Sequence, residues 1–422
     1  MPEQMIPVEE ARAIVLAHVK PLPEERIEAW RAVGLPLAAD ATTDIDLSPF
    51  ANSAMDGYAV RTADLADASQ EHPVTLTITG HEAAGHVFTG EVGPGEAVRI
   101  MTGAPVPAGA DAVVKYEIVE VAGGDGSGNE GALATFRAPA KPGENIREAG
   151  LEAHAGDVIM HAGEVVTAAG AGLLTSAGVT EVAVRRAPRV GILSVGTELV
   201  PPTEQPQRGQ IRDANGPALM AAALDAGAEP RFFGIVADDE DAIAQAVLEM
   251  TESCDLVVTS GGASAGDYDY IEALVQREGE VLFDRISMRP GKAITFGLVR
   301  GVPFLGLSGN PAAACVGFEM LARPAIRAMR GHTLLERPLE RARVTHDVRK
   351  RQERRFYDRA RVARDPETGE ATVTEERSQN SALLGTLHRA NCLLMVPEGL
   401  QGYTAGDEAT CVRIDLPEGA EL

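Results

Sequence analysis

Carboxylates follow three strand-like segments in the second half of the chain. Glu198 comes after RVGILSVG, Asp238 after PRFFGIV, and Asp267 and Asp269 after CDLVVTSGG. In an open parallel sheet the carboxyl ends of the strands share one edge, where ligands bind. Acidic oxygens suit Mg²⁺, which neutralises charge during cleavage of a phosphate anhydride. We therefore predict a phosphate-handling site with magnesium held by Glu198 and Asp269; the alternative for Asp238 is a helix N-cap.

Glycines lie in the turns that follow the same kind of strand. Gly196 is in SVGTEL, Gly261 and Gly262 are in TSGGASAG, and Gly309 is in LSGNP. Without a Cβ the backbone N–H groups can approach a ligand, and the following helix N-termini favour anions. A single glycine of this kind is as often only a turn, but three such turns in one region favour a binding crevice. The predicted ligand-binding residues of these turns are Gly261, Gly262, Ser264, Ser308, Gly309 and Asn310.

Two common motifs need weighing against this interpretation. Residues 262–266 match G-x-S-x-G between a strand and a helix, which is where a serine hydrolase places its nucleophile. Histidines lie downstream, but none has a telling context, so we favour an anion-binding turn at Ser264 and keep the hydrolase as an alternative. Residues 126–131 match G-x-G-x-x-G but lack the following helix of a dinucleotide site, so we expect a hairpin loop.

Positive charge clusters at Arg285, Arg289 and Lys292, within DRISMRPGK. The formal net charge of the chain is −24, which argues against a nucleic-acid partner because such a partner needs a basic surface. In so acidic a protein, three cations in one short segment predict an oxyanion site. The alternative is a solvated strand edge. A second basic run, from Arg341 to Arg364, we interpret as a solvated face.

The 422 residues are too many for one ordinary core, so we expect several domains. Strand and helix patterns alternate from Arg189 to about Arg330, which predicts a parallel α/β domain. Short β runs precede and follow it, and the first residues predict helices over Val8–Val19 and Pro23–Val33. The predicted domains are an N-terminal domain (1–47 with 143–187), an inserted mostly-β domain (48–142), the α/β domain (188–330) and a C-terminal β domain (331–422).

Nothing in the sequence predicts a membrane protein or a secreted one. The N-terminus begins acidic, without the basic region of a signal peptide. The longest weakly polar stretch, Val165–Val184, is interrupted by glycines and a glutamate, so we expect a buried helix followed by a strand. The four cysteines lie far apart, without zinc spacing, and we expect reduced thiols in a cytoplasmic protein: Cys254, Cys315, Cys392 and Cys411.

Six sequence blocks together resemble the molybdopterin molybdenumtransferases, the family of the bacterial MoeA proteins and the E domain of gephyrin. They occur in the family's order, and the resemblance covers essentially the whole chain. SAMDGYA and MTGAPVP are the most specific of them. The blocks are NSAMDGYAVR (52–61), RIMTGAPVPAGADAVV (99–114), SVGTEL (194–199), SGGASAGDYDY (260–270), RPGKAITFG (289–297) and GLSGNPAAA (306–314).

The resemblance implies a fold and a reaction. It implies an elongated four-domain protomer, a molybdopterin-binding α/β domain and a homodimer. The implied reaction releases AMP from adenylylated molybdopterin and transfers molybdate to the dithiolene, with Mg²⁺ present. The molybdopterin adenylyltransferase is the implied delivering partner. The site would join the α/β domain of one protomer to the MDGYA and TGAPVP region of the other, and its carried-over residues are Asp56, Thr102, Glu198, Asp238 and Asp269.

The chain departs from the family pattern at several positions. Arg285 and Arg289 stand where lysine is usual, and arginine is a planar fork whereas lysine is a point charge. Glu152 stands where aspartate is usual, Ser308 where proline is, and Ala51 where aspartate is. These departures leave the choice between molybdate and tungstate open.

Two other functions remain as alternatives. The first is a non-catalytic pterin-binding or scaffold protein of the same fold, against which the acids Asp56, Glu198 and Asp269 argue. The second is a hydrolase of another nucleotide or pterin phosphate, against which the SAMDGYA block argues, because it lies outside the α/β domain.

Overall fold

The computed structural model of the chain describes residues 5–83, 85, 87–123, 130–262 and 270–421. These residues form two compact units. The first unit comprises Met1–Ile27, Gly34–Ala38 and Ala183–Leu422, and the second comprises Glu28–Val33 and Ala39–Val182. Among the described residues, none of the helices combines the length and apolar composition that a membrane crossing requires. The four domain boundaries expected from the sequence stay a prediction.

Among the described residues, strands dominate before residue 168 and after residue 329, and helices and strands are interspersed between these positions. The strands are β1 (Glu24–Glu28), β2 (Ala41–Thr42), β3 (Asn52–Ser53), β4 (Gly57–Val60), β5 (Val74–Glu82), β6 (Glu96–Ile100), β7 (Ala112–Lys115), β8 (Glu120–Ala122), β9 (Leu133–Phe136), β10 (Ile146–Arg147), β11 (Val158–Met160), β12 (Glu181–Arg185), β13 (Arg189–Val195), β14 (Leu199–Val200), β15 (Ile211–Arg212), β16 (Glu229–Val236), β17 (Leu256–Ser260), β18 (Gly279–Arg285), β19 (Met288–Arg289), β20 (Ala293–Val299), β21 (Val302–Leu307), β22 (Leu339–Val344), β23 (Val348–Arg349), β24 (Arg355–Arg364), β25 (Ala371–Glu375), β26 (Cys392–Val396), β27 (Gly402–Tyr403) and β28 (Glu408–Arg413). The α-helices are α1 (Val8–Ala17), α2 (Ala168–Ser176), α3 (Asn215–Asp225), α4 (Glu240–Ser253), α5 (Tyr270–Glu278), α6 (Pro311–Gly317), α7 (Arg323–Met329) and α8 (Leu384–Arg389).

The first unit contains the α/β sheet, with strand order β16-β13-β17-β21-β20-β18. The first four strands of this order are parallel, which confirms the parallel α/β region. The last two are antiparallel, which the sequence did not lead us to expect. The reason is a two-residue turn between β20 and β21, at Arg300 (φ 50°) and Gly301 (φ 81°). Two successive positive φ values make a tight hairpin, which forces antiparallel pairing.

Helices cover both faces of this sheet, and β13 shows why. Its buried residues alternate between two cores. Val190 and Ile192 pack in a core with α3, whereas Leu193 and Val195 pack in another with α4. A strand that is apolar on both faces is typical of a sheet with helices on both sides, so polar groups are confined to the strand ends.

The C-terminal part of the first unit is a closed β structure. Its strand order is β19-β24-β25-β22-β28-β26, and an additional pairing of β24 with β26 closes the ring. The short strand β19, from the segment between β18 and β20, adds to β24 in parallel register, with Met288 opposite Arg355 and Arg289 opposite Phe356. The expected C-terminal β domain is confirmed, and the cation-bearing segment of the α/β region is joined directly to it. Helix α8 was not predicted.

The second unit contains a sheet with the order β7-β4-β6-β5-β9-β8. The mostly-β character expected for this part of the chain is confirmed. Directly after Asp56, Gly57–Val60 form β4 between β6 and β7. Gly57 allows the close approach of β7, since a Cβ added there would lie 2.1 Å from the carbonyl oxygen of Val114.

The predicted second helix, Pro23–Val33, is wrong. The structure has β1 there, followed by a 3₁₀ turn at Ala29–Ala32. The backbone groups of this segment pair with distant chain: Ala29 N–H donates to the Thr180 carbonyl at 2.9 Å, and Arg186 N–H donates to the Pro23 carbonyl at 3.1 Å. Tertiary pairing therefore overrides the local helical pattern. The helix followed by a strand expected within 165–184 is confirmed by α2 and β12, and all four cysteines are free thiols.

Candidate active site

The predicted strand-end acids lie at one edge of the α/β sheet. Glu198 follows β13 and Asp238 follows β16, and these two strands are neighbours. Asp238 is not the N-cap of α4. That role belongs to Asp239, whose Oδ1 accepts from the Ala242 N–H at 2.9 Å. Asp238 instead accepts from the N–H and hydroxyl of Thr197, at 2.8 and 3.0 Å. It therefore ties the turn that carries the exposed Glu198 to the neighbouring strand end.

A buried polar network occupies the middle of the same edge, and the sequence did not lead us to it. Asp213 accepts from the Asn215 N–H at 3.0 Å and from the Ser194 hydroxyl at 2.8 Å. The Asn215 side-chain amide donates to the Ser260 hydroxyl at 2.6 Å and to the Gly309 carbonyl at 2.9 Å. Within the described residues the Asn215 Oδ1 is buried without a hydrogen-bond partner. The available signal was Asp-Ala-Asn at the start of a helical pattern, which resembles a cap.

The glycines at the strand ends allow the backbone segments at this edge to pack closely. Gly261 has φ 91°, its N–H donates to the Leu307 carbonyl at 3.0 Å, and an added Cβ would lie 2.0 Å from the Val195 carbonyl oxygen. Gly262 follows with φ 70°. Glycine at 261 thus lets β13, β17 and β21 end side by side. The predicted Ser264 and Asp269 lie outside the described residues.

A cleft beside the end of β21 contains most of the predicted anion-binding side chains. We call it the basic cleft; it has a volume of about 610 Å³ and carries three cations but no carboxylate among the described residues that line it. An anion site in a chain of net charge −24 needs such a local excess of positive charge. The basic cleft is lined by Arg289, Pro290, Gly291, Lys292, Ala293, Ser308, Asn310, Ala313, Arg354, Gln379, Asn380 and Ser381.

Arg354 is the third cation of the basic cleft. Its Nη1 donates to the Met288 carbonyl at 3.1 Å, which anchors the guanidinium beside β19. Burial lowers the pKa of Arg354, and the positive charge of Arg289 lowers it further. Like charges that are held together repel, so an anion between them would be favoured.

A loop after β25 supplies the polar wall of the basic cleft, and Arg359 holds that loop. Arg359 is fully buried. Its Nη2 donates to the Asn380 carbonyl at 3.1 Å, and its Nε donates to the Thr386 hydroxyl at 3.3 Å. Its backbone N–H and carbonyl bond the side-chain amide of Gln379, both at 2.9 Å. The Ser381 carbonyl in turn accepts from Ala312 at 2.9 Å, which ties the loop to α6.

Two acids, the buried Asp358 and the partly buried Glu375, act on the charge of Arg289. Asp358 is 3% exposed and its Oδ1 has no hydrogen-bond partner among the described residues. Burial raises the pKa of Asp358 to about 7, and the charge of Glu375 raises it further, while Arg289 and Arg359 oppose the shift. Burial likewise raises the pKa of Glu375. When Asp358 is protonated, it does not neutralise the positive charge of Arg289.

The predicted cation cluster is therefore partly rearranged. Arg289 and Lys292 line the basic cleft, whereas Arg285 does not; its Nε lies 3.4 Å from Asp284. The basic run 341–364 is not a uniformly solvated face, since Arg354 lines the cleft and Arg359 is buried. The pairing of β19 with β24 joins the two basic segments, and no local pattern in the sequence encodes that pairing.

The second unit brings together the two residues predicted from its MDGYA and TGAPVP blocks. Asp56 Oδ1 accepts from both the backbone N–H and the hydroxyl of Thr102, each at 2.7 Å. The Thr102 backbone hydrogen bond, then its hydroxyl, lower the pKa of Asp56. Both residues are exposed, so Asp56 is an oriented carboxylate that is open to a ligand.

The predicted magnesium site is not assembled by the described residues alone. No group of three acids, histidines or cysteines with metal-binding spacing occurs among them. Glu198 and Asp238 lie at the same sheet edge, but Asp238 is already held by Thr197. Two exposed carboxylates do not form a closed magnesium shell.

Family models match nearly the whole chain. The MoeA N-terminal region (domain I and II) matches residues 6–178, the probable molybdopterin binding domain matches 191–328, and the MoeA C-terminal region (domain IV) matches 341–413. A molybdopterin molybdenumtransferase of Bacillus subtilis is 34% identical over 417 residues, which is 99% of this chain and 96% of that protein. The chain belongs to the MoeA family of molybdopterin molybdenumtransferases.

Further relatives agree with this membership. The molybdopterin molybdenumtransferase of Haemophilus influenzae is 33% identical over 96% of this chain and 98% of its own. The crystal structure of a molybdopterin biosynthesis MoeA protein from Pyrococcus horikoshii has a TM-score of 0.81 at 30% identity, covering 97% of this chain and 99% of that one. The molybdopterin-binding α/β domain and the C-terminal β domain expected from the resemblance are thus confirmed, and the chain is a transferase of molybdenum cofactor biosynthesis.

Proposed function

We propose that this MoeA family member transfers molybdenum to molybdopterin and binds molybdate in the basic cleft. The observation that carries the proposal is a cleft with three cations and no carboxylate among its described lining residues. Its hydroxyl and amide groups supply hydrogen-bond donors without adding negative charge. Arginine and lysine in such a setting are the usual ligands of tetrahedral oxyanions.

Electrostatic repulsion between the two anionic substrates explains why cations must lie at the binding site itself. Molybdate is a dianion and the pterin substrate carries phosphate, so their approach is repulsive. Two unit charges at ~4 Å interact by about 4 kcal/mol at an effective dielectric of 20. The three cations of the basic cleft offset that repulsion next to the bound anions: Arg289, Lys292 and Arg354. The surface as a whole cannot do so, because the net charge of the chain is −24.

We place the adenylylated molybdopterin along the adjoining strand ends. Ser308 and Asn310 belong both to this edge and to the basic cleft, so a ligand at the edge lies next to a bound oxyanion. Hydrogen bonds from Asn215 to the Gly309 carbonyl and from Gly261 to the Leu307 carbonyl fix the backbone of this edge. Glu198 and Asp269 are the carboxylates that would hold magnesium, and a bound ion would supply positive charge beside the phosphates.

The direct test is incubation with adenylylated molybdopterin, Mg²⁺ and either molybdate or tungstate. We expect AMP release and formation of the metal-loaded cofactor, and the two oxyanions show which metal the arginine-bearing cleft favours. Omission of Mg²⁺ in a parallel arm tests the metal. Absence of turnover with both oxyanions would contradict the proposal and favour the pterin-binding scaffold. AMP release without metal transfer would favour the hydrolase, and labelling of Ser264 by a fluorophosphonate probe would support that outcome.

We also propose a homodimer in which two protomers complete one site. The oriented carboxylate of Asp56 and the α/β residues lie in different compact units. Mixing inactive Asp56→Asn with inactive Asp269→Asn subunits should restore part of the activity. If verified subunit exchange restores none, each protomer has its own complete site.

We expect a partner protein to deliver the adenylylated pterin, because this substrate is reactive. We propose that the molybdopterin adenylyltransferase hands over the adenylylated pterin in the cytoplasm, where the four free thiols of this chain are stable. Co-purification of the two proteins, enhanced by the adenylylated pterin, is the expected result. Equal binding with and without the pterin would indicate delivery by free diffusion.

A further inference from the structure

The aromatic ring of Phe356 lies directly beneath the guanidinium of Arg289. The two residues are opposite each other in the β19–β24 pairing. The Arg289 Cζ lies 4.5 Å from the ring centroid, within the range of a cation–π contact. Phe356 is 1% exposed and packs in the apolar core of the C-terminal ring, so this ring is a fixed surface rather than a mobile side chain.

A second cation shares the same ring. The Lys350 Nζ lies 5.7 Å from the Phe356 centroid and donates to the Pro397 carbonyl. Lys350 is 4% exposed, and it is not among the residues that line the basic cleft. Arg289 is the cation of this pair that lines the cleft, so its guanidinium lies over the ring and borders the proposed anion site.

The geometry points to Phe356 as a positioning residue that orients the Arg289 fork for the oxyanion. This inference rests on the proposed function. A guanidinium that stacks on a ring keeps its plane fixed, and its N–H groups then point outward in that plane. Two N–H groups of one fork can contact two oxygens of a tetrahedral anion. Phe356 thus acts through Arg289 and never touches the substrate.

The contact also explains how an arginine can work at position 289. A lysine ammonium is a point charge without a plane, so it gains less from a surface that fixes orientation. The effect of Phe356 on oxyanion binding should therefore depend on which cation stands at 289. A purely structural role of Phe356 in the ring core predicts no such dependence.

A double-mutant cycle separates the two roles. The Kd for molybdate is measured by calorimetry, and the molybdate dependence of cofactor formation by titration, for wild type, Phe356→Leu, Arg289→Lys and the double variant. We expect Phe356→Leu to raise the Kd roughly fivefold with Arg289 present and less than about twofold with lysine present. The kcat at saturating molybdate should change less than the KM.

The control is Phe283→Leu, since Phe283 is also buried but stacks on Phe296 at 5.6 Å instead of on a cation. If Phe356→Leu does not fold, Phe356→Met keeps most of the volume and serves in the same cycle. Equal losses in both backgrounds would overturn the positioning role and assign Phe356 to the core alone. Absence of molybdate binding by the wild type would instead overturn the proposed oxyanion site.

Discussion

The two ends of the ligand edge of the α/β sheet differ in charge and in burial. At β13 and β16 the edge carries Glu198 and Asp238, both exposed. Beyond β21 the basic cleft carries three cations, and its arginine neighbours are partly or fully buried. The acidic end is formed by the ends of two strands that are neighbours in the sheet, β13 and β16. The basic end also needs the segment before β24 and the loop after β25. The difference indicates that the acidic end suits a cation or its phosphate partner, and the basic end an oxyanion.

The largest expected effect is the loss of Arg354. Arg354→Met removes a charge that the described lining of the cleft does not neutralise, so the molybdate Kd should rise roughly 10- to 100-fold. Arg361→Met is the matched control, because Arg361 lies on β24, the strand that begins directly after Arg354, is exposed, and donates to the Arg389 carbonyl at 2.9 Å. The measurement is calorimetric titration with molybdate. An unchanged Kd for Arg354→Met would place the oxyanion elsewhere.

Substitutions of Asp213 and Asp238, two acids at the same sheet edge, should distinguish a structural role from a functional one. Asp213→Ala removes the acceptor of a buried network, and we expect the free energy of unfolding to fall by about 2–3 kcal/mol. Asp238→Ala removes an exposed acceptor and should cost less than about 1 kcal/mol while lowering activity. Urea denaturation together with AMP release measures both. A stable and fully active Asp238→Ala variant would remove this residue from the site.

The buried Asp358 predicts a pH dependence near neutrality. The pKa of Asp358 is about 7 in the folded protein, above the usual value of 3.8, so ionisation adds negative charge beside Arg289 as the pH rises through about 7. Molybdate binding should weaken several-fold over that range, and Asp358→Asn should remove most of the dependence. Calorimetric titrations with molybdate at pH 6 and 8 compare the two proteins. Identical profiles would show that Asp358 does not influence the cleft.

The same acid gives a stability signature with a definite sign. Because its folded pKa is raised, Asp358 favours folding below pH 4, and this contribution is lost as the pH rises to about 7. The free energy of unfolding of Asp358→Asn, relative to that of the wild type, should therefore be higher at pH 8 than at pH 4 by roughly 2–4 kcal/mol. Thermal unfolding at several pH values measures the difference, and a constant difference would contradict the burial argument.

The smallest expected effect lies in the second unit. Thr102→Val removes one of two hydrogen bonds that lower the pKa of Asp56, so Asp56 should take up a proton at higher pH. The acid limb of the pH–rate profile should therefore move to higher pH. Thr62→Val is a matched control, because Thr62 bonds Asp111 through its N–H and hydroxyl in the same way. A shift of equal size in the control would indicate a general effect.

Local patterns predicted the residues whose position depends only on their own strand. Glu198, Asp238, Gly261 and Ser308 follow apolar strands, and parallel strands must end at one edge, so these residues came together as expected. Helix Pro23–Val33 failed because its backbone pairs with distant chain. Strand β4 was not predicted, because its apolar run is short and its conformation depends on burial in the sheet.

The sequence by itself determined the family, the alternation of strands and helices, and the chemical types at the strand ends, because periodicity and specific motifs are local properties of the chain. Only the tertiary structure decided that Arg354 and Ser381 face Lys292, and that Arg289 lies on Phe356. These contacts depend on the pairing of β19 with β24, which is made by two backbone segments without a mutual sequence signal. The type of each residue fixes its charge and its hydrogen-bonding capacity. Whether a charge remains unneutralised depends on the groups that the folded chain packs beside it.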